Sequence, residues 1–269
     1  MPLIRNFSDD NGIHIFDSQL DPNYSVYDER LILDQEKVES SHFWFIKRRE
    51  KISNFFVKYI DKKSKVLEIG GGTGYIAKHL INAGFKVDLS DIHINGLKFA
   101  HSKGVPNIYQ FDLYAPPFKD EYNIICLFDV LEHQKDDKLA IECLKYMLAP
   151  KGKILITVPA HMWLWNRDDK INGHYKRYTK KSLQTLCQQL GLNIIHVEYF
   201  FTFLTPFLLA RSFLKPDHNG YVDSEETLGF KMSNFMNIFL SNLVKFEFFL
   251  SKWISYKFGG SILLYAEKI

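Results

Sequence analysis

A short apolar run, Val66-Leu67-Glu68-Ile69, breaks into Gly70-Gly71-Gly72-Thr73-Gly74, and a helical stretch, Tyr75–Ala83, follows at once. This join constrains the chain more than any other feature. Glycines let a backbone turn tightly and approach a ligand closely, and the helix start beyond them offers unpaired N–H groups. The rhythm then repeats. Phe85–Leu89, Ile108–Phe111, Tyr122–Leu127, Lys153–Val158 and Leu192–Phe200 read as strands; Leu97–Ser102 and Lys138–Leu148 read as helices. A further helix runs from an N-cap at Thr179 to Leu190, with Gly191 as its stop, and Ser261–Lys268 is a last strand. Strands alternating with helices imply an α/β fold, a parallel sheet with helices on both faces.

The flanking segments are read more coarsely. Residues 1–40 are polar and weakly patterned, an arm with a short helix at Tyr27–Glu39; a second helix runs to Ile60 with Ile52, Phe55, Phe56 and Tyr59 at helical spacing. About 60 residues separate the last two strands, too long for a bare loop in a compact domain. The expected organisation is an N-terminal cap (1–60), a core (61–201 and 261–269) and a helical insertion (202–260).

Composition matters in three places. Net charge is only +3, so no nucleic-acid partner is expected. Cys126, Cys143 and Cys187 are scattered and form no CxxC pair, so they read as small buried hydrophobes in a reducing compartment. Aromatic residues reach 15%, and they crowd the insertion. Met232, Met236, Phe239, Leu243, Phe246, Leu250 and Trp253 mark one face of a long helix whose surroundings (231–257) hold four Lys and one Glu. Such a stripe suits packing, a homodimer contact or a membrane surface through 199–257. With no leader and no spanning run, the expected place is the cytoplasm, at or near a membrane.

The strand ends carry acids in register with the glycine loop. Asp91 ends the second core strand, where a carboxylate accepts ribose hydroxyls; Asp112 follows the third, where one accepts an adenine amino group. The glycines are spaced GxGxG, with Tyr75 where a dinucleotide fingerprint needs glycine, which argues against an NAD-dependent oxidoreductase.

As a set, Val66–Gly74, Asp91, Phe111-Asp112-Leu113, Phe128-Asp129-Val130-Leu131-Glu132-His133 and the post-helix turn Leu148–Lys153 resemble the class I S-adenosylmethionine-dependent methyltransferases. Leu131-Glu132-His133 and His174-Tyr175-Lys176-Arg177-Tyr178-Thr179 are similar to the branch of ubiquinone-biosynthesis O-methyltransferases. The resemblance implies a Rossmann-like sheet of seven strands with the last antiparallel, and S-adenosylmethionine as cofactor. It implies that Glu68, Gly70, Gly72 and Gly74 hold the methionine part, Asp91 the ribose and Asp112 the adenine, with Ile92, Leu113 and Phe128 beside them.

A sulfonium methyl group is reactive without help, so the enzyme mainly aligns an acceptor. A hydroxyl acceptor needs a base, and His133 and His174 are the catalytic candidates. Arg48 is a candidate for the cofactor carboxylate; Trp44, Trp163, Arg177 and Tyr178 are candidates for the acceptor pocket. Glu132 beside His133 hints at a metal, but no third ligand has suitable spacing, so none is expected. The acceptor is a small molecule, a sugar or a polyprenyl- or lipid-linked compound. The rival to an enzyme is a non-catalytic, membrane-peripheral binding module.

Overall fold

The computed structural model describes residues 7–10, 12–16, 29–214 and 232–269. Its spine is one mixed sheet. The strands are β1 (Phe7–Asp10), β2 (Ile13–Phe16), β3 (Lys65–Ile69), β4 (Lys86–Asp91), β5 (Ile108–Gln110), β6 (Tyr122–Phe128), β7 (Leu148–Pro159), β8 (Leu192–Phe200) and β9 (Ser261–Lys268). They are ordered β1-β2-β5-β4-β3-β6-β7-β9-β8. From β5 to β7 neighbours run parallel, and β9 is antiparallel to both β7 and β8.

The sheet therefore has nine strands among the described residues, not the seven expected. The difference is the N-terminal arm. There β1 and β2 pair antiparallel, and β2 adds to the β5 edge in parallel. Asp10 pairs with Ile13, and Gly12, just before β2, has φ +86°. In the sequence, Asn11-Gly12 is a strong hairpin signal, but the arm around it is polar and hides it.

Alternate residues of the central strands face opposite layers, so both faces read as apolar. Leu67, Ile125, Leu127, Ile154 and Ile156 pack with α5 (Asp137–Met147) and α7 (Lys180–Gln189). Val66, Val87, Ile124, Cys126 and Leu155 pack with α2 (Phe43–Tyr59), α3 (Tyr75–Asn82), α4 (Ile94–Ser102) and α9 (Asn234–Leu250). A fully buried side chain such as Phe56 contributes roughly 1.5–3 kcal/mol in this way. All three cysteines lie buried in these layers as expected, and burial pushes the Cys143 thiol up to about 11.

The remaining helices surround the carboxyl ends of the parallel strands. The helix α1 (Glu29–Glu39) contacts α4, while α6 (Arg167–Ile171) and α8 (Thr205–Leu214) follow β7 and β8. Within the insertion, α9 buries Leu240, Val244 and Glu247. Asn237 fastens it to α2, accepting from Phe43 N at 2.8 Å and donating to Ser41 O at 3.0 Å. The stripe read from the sequence divides: Met236, Phe239, Phe246 and Trp253 are exposed, while Met232, Leu243 and Leu250 are half-buried, Met232 and Leu243 against the core. Residues 215–231 of the insertion, and positions 27–28 at the start of the expected N-terminal helix, lie outside the described residues.

Candidate active site

The loop after β3 is built for close approach. Gly70 has φ +68°, and a Cβ there would stand 2.5 Å from Val130 Cγ2. Gly72 has φ +51°, and a Cβ there would meet nothing within 4 Å, so open space lies above the loop. Asp91 holds the loop in shape. Its Oδ2 accepts from Gly72 N and its Oδ1 accepts from His93 N, both at 2.8 Å. The loop then delivers Gly74 as the N-cap of α3, whose first N–H groups point to the same edge.

Beside the loop lies a group of buried acids. Glu68 is buried with one carboxylate oxygen unpartnered among the described residues. Burial pushes it up to about 8, with Glu39 and Asp91 adding to the rise and Arg48 opposing it. Glu39 is brought over the loop by α1, where Thr73 Oγ1 donates to it and Gln35 Nε2 donates at 2.9 Å. Arg48 reaches in from α2, donating to Phe128 O at 2.7 Å and pairing with Asp129 Oδ2 at 2.8 Å. Asp129 also accepts from Thr157 Oγ1 at 3.0 Å. Asp112 accepts from Tyr114 N at 2.9 Å, and Ile92 O accepts from Gln110 Nε2. Leu113 and Phe128 are buried beside these ends.

Past β6, Leu131–His133 forms a short 3-10 turn, and the loop after α6 docks on it through Tyr175 N to Glu132 O at 2.8 Å. This brings His133 and His174 together, ring centroids 4.6 Å apart and edge to face. Asp169 orients His174 through a 2.7 Å contact with Nδ1. Burial works against the Asp169 charge, but His174 and the Arg177 fork outweigh it and hold the carboxyl below its usual range. An ionised Asp169 accepts, so Nδ1 of His174 donates to it, and in the neutral ring Nε2 is the acceptor. Burial and the neighbouring His174 push His133 down to about 3, so its imidazole is neutral.

The expected acceptor residues fare differently. Arg177 is taken by Asp169, with Nε and Nη2 both at 2.8 Å, so it braces the loop that presents His174. Tyr178 is buried and donates to Asp137 Oδ2 at 3.0 Å. Trp44 packs on Phe201, with centroids 4.4 Å apart, and Trp163 is half exposed, stacked on His161. The structure thus gathers Glu68, the glycines, Asp91, Asp112, Arg48, Phe128, His133 and His174 along one strand-end edge; Arg177 and Tyr178 serve that edge from behind.

Sequence reading passes over Glu39, Asp169 and Gly96, and quotes Asp129 within its motif without a role. Gly96 lets α4 press on the loop, since a Cβ there would stand 3.1 Å from the Gly72 carbonyl. Asp169 carries a local signal, the capping box it forms with Asn166. The expected absence of a third metal-type donor is corrected: the fold places His174 beside Glu132 and His133.

The methyltransferase-domain family model matches residues 42–197, more than half of the chain. The chain belongs to the methyltransferase domain family. No curated protein matches it by sequence. Solved methyltransferases share its fold. A SAM-dependent methyltransferase from Thermotoga maritima is 15% identical with a TM-score of 0.56, covering 91% of this chain and 98% of its own. One from Archaeoglobus fulgidus is 18% identical with a TM-score of 0.53, covering 90% and 100%. Phosphoethanolamine N-methyltransferase 2 from Haemonchus contortus, solved with S-adenosyl-L-methionine, is 17% identical with a TM-score of 0.52, covering 88% of this chain and 60% of that one.

The edge of this methyltransferase fits S-adenosylmethionine. Space opens over Gly72, a helix start and the strand-end acid Asp91 flank it, and Glu68 offers an unpartnered buried oxygen. The carboxyl groups of Glu39, Glu68 and Asp91 gathered around the loop suit a ligand bearing sulfonium and ammonium charges, which would favour their ionised form. S-adenosylmethionine is the cofactor of this methyltransferase.

Proposed function

We propose that this methyltransferase methylates a hydroxyl group of a small, sugar- or lipid-linked acceptor, with a membrane-bound polyprenyl or lipid compound as the favoured class. The observation that carries the reaction is one shared edge. The glycine loop abuts Val130 at the head of the turn that carries Glu132 and His133, and His174 packs on His133 with its Nδ1 fixed by buried Asp169. The cofactor supplies an electrophilic methyl carbon that a nucleophile attacks in line. The chain's own groups position both partners. The glycine loop and Glu68 take the methionine part, Asp91 the ribose, and Asp112 the adenine. Arg48 pins the end of β6 by its Phe128 and Asp129 contacts, which keeps the wall between the two subsites fixed. The acceptor's hydroxyl proton leaves by way of the Glu132–His133–His174 cluster.

The acceptor class follows from α8 and α9. Their outward side presents Phe207, Phe213, Phe235, Phe239, Phe246 and Trp253, with Phe235 78% and Trp253 68% exposed. Lys245, Lys252 and Lys257 flank these rings, and the acid of α9, Glu247, is turned inward to accept from Phe203 N at 2.8 Å. Aromatic rings beside lysines, with no exposed acid on α9, suit an anionic lipid surface. Among the described residues no helix is long and apolar enough to cross a membrane, so contact would be along the surface.

The test is transfer from methyl-labelled S-adenosylmethionine into an extract of the source cells, followed by partition. The expected result is label in the organic phase, lost in a double variant (Phe246→Ser with Trp253→Ser) whose cofactor affinity is kept. Label confined to the aqueous phase overturns the lipid class, and no label with the cofactor bound favours the non-catalytic module.

A further inference from the structure

An aromatic stack follows β7, and methyl transfer alone gives it no task. His161 stacks with two rings, its centroid 5.0 Å from Trp163 and 5.1 Å from Tyr199, at interplanar angles of 27° and 22°. The inner end of the stack is closed: Tyr199 is buried, and Lys180 Nζ stands 4.8 Å from its centroid. The outer end is open, because Trp163 is half exposed. Burial and the Arg177 guanidinium hold the His161 imidazole below the usual histidine range, so the middle ring stacks as a neutral one.

The chain holds this stack at a conformational cost. His161 has φ +61° and ψ +116°, outside the left-handed helical well that residues with a side chain sometimes use. Its N–H donates to Tyr178 O at 2.7 Å, and its Nε2 is buried with no partner among the described residues. Backbone of this kind persists only where its surroundings fix it, and it gathers at ligand sites. Here the surroundings are the loop that presents His174. Arg177 N donates to Met162 Sδ at 3.2 Å and Arg177 Nη1 to Ala160 O at 3.3 Å, while the same guanidinium holds Asp169. On another side α8 packs on the short turn Met162–Leu164, and Arg211 pairs with Asp168 at 2.5 Å. The turn that carries Trp163 thus touches both the His174 loop and the helix whose outer side bears Phe207 and Phe213.

We propose that Trp163, seated on His161 and Tyr199, is the platform for a pyranose ring of the acceptor. The proposal deepens the methyl-transfer reading and rests on it, naming the acceptor's ring as a sugar. A pyranose turns its axial C–H groups to the indole and keeps its hydroxyls at the rim, where the His174 loop adjoins. A phenolic ring is apolar on both faces and suits a slot closed on both sides. The half-exposed indole offers one open face, which matches a ring with one apolar side and a polar rim. The tail of a lipid-linked sugar then runs onto the outward side of α8.

The test is saturation-transfer NMR on the full chain with S-adenosylmethionine present. The probes are the n-octyl pyranosides of glucose, galactose and mannose, kept below their micelle concentrations, with p-cresol as the planar alternative. Saturation of the ring C–H protons of at least one pyranoside is expected. Its affinity should fall by roughly three- to tenfold in Trp163→Ala, the scale of one stacked ring, and be restored in Trp163→Tyr. A glycine suits the backbone at 161, so His161→Gly should keep the unfolding temperature and still weaken the pyranoside. S-adenosylmethionine affinity, measured on the same samples, should be unchanged. No ring saturation from any of the three, saturation confined to the octyl chain, or equal affinity in Trp163→Ala overturns the platform. Binding of p-cresol alone, lost in Trp163→Ala, overturns the sugar class. Methyl transfer is judged apart from these, by label passing from the bound cofactor into the cell extract: label with no pyranoside binding leaves it standing, and no label refutes it even where Trp163 binds the sugar.

Discussion

Glu68 shows how burial sets the behaviour of a single side chain. Burial in β3 next to Glu39 and Asp91 raises its carboxyl to about 8, so it is largely protonated near neutral pH. A cationic amine placed against it, as the family resemblance implies, favours the ionised form. Cofactor binding near pH 7 should therefore release a large fraction of one proton. Calorimetry in buffers of different ionisation enthalpy reads this directly, and the release should vanish in Glu68→Gln. Equal binding enthalpies in every buffer would remove Glu68 from the methionine subsite. The same residue illustrates what the sequence makes legible. Glu68 and the glycines after it are contiguous, so their placement follows from a strand running into a turn. The partners of Arg48 and His174 come from distant segments, and only folding brings Asp129 to one and Glu132 to the other.

Elements are legible where their pattern is local and obscure where it is not. The parallel strands announce themselves by apolar runs bounded by glycine and acid. The pairing of β1 with β2 carries only the Asn11-Gly12 signal in a polar arm. For α9 the period gives a face but not its direction, because inward and outward stripes share the same spacing. The inward side instead carries Leu240, Val244 and a buried glutamate, Glu247, whose Oε2 accepts from Phe203 N. A second ion pair joins α2 to the sheet: Lys51 donates to Glu198 at 2.8 Å, and His196 Nε2 lies 3.3 Å away. Burial alone pushes Glu198 up, but His196 and Lys51 outweigh it and bring the carboxyl from 4.5 down to about 2. A lowered acid pKa stabilises the fold above the unfolded value, and that stability is lost as pH falls through the folded value. The unfolding temperature should drop between pH 4.5 and about 2, and Glu198→Gln should flatten that limb. An identical acid limb in both proteins would contradict the assignment.

At the scale of the molecule, the parallel strands share one carboxyl edge, and the cap, the loops after β6 and β7 and the insertion gather around it. Two layers of core flank the sheet, and at its edge the glycine loop abuts Val130, from which the turn to Glu132 and His133 follows. The outward aromatic side of α9 is the part of the surface that the proposed membrane contact would use. The central claim is that the edge is an S-adenosylmethionine site. Titration calorimetry with S-adenosylmethionine and, separately, with NAD tests it most directly, on the wild type and on Asp91→Ala. One-to-one binding of S-adenosylmethionine, no binding of NAD, and at least a tenfold loss in Asp91→Ala, about 1.4 kcal/mol, are expected. Binding of NAD without S-adenosylmethionine, or affinity unchanged in Asp91→Ala, would contradict it.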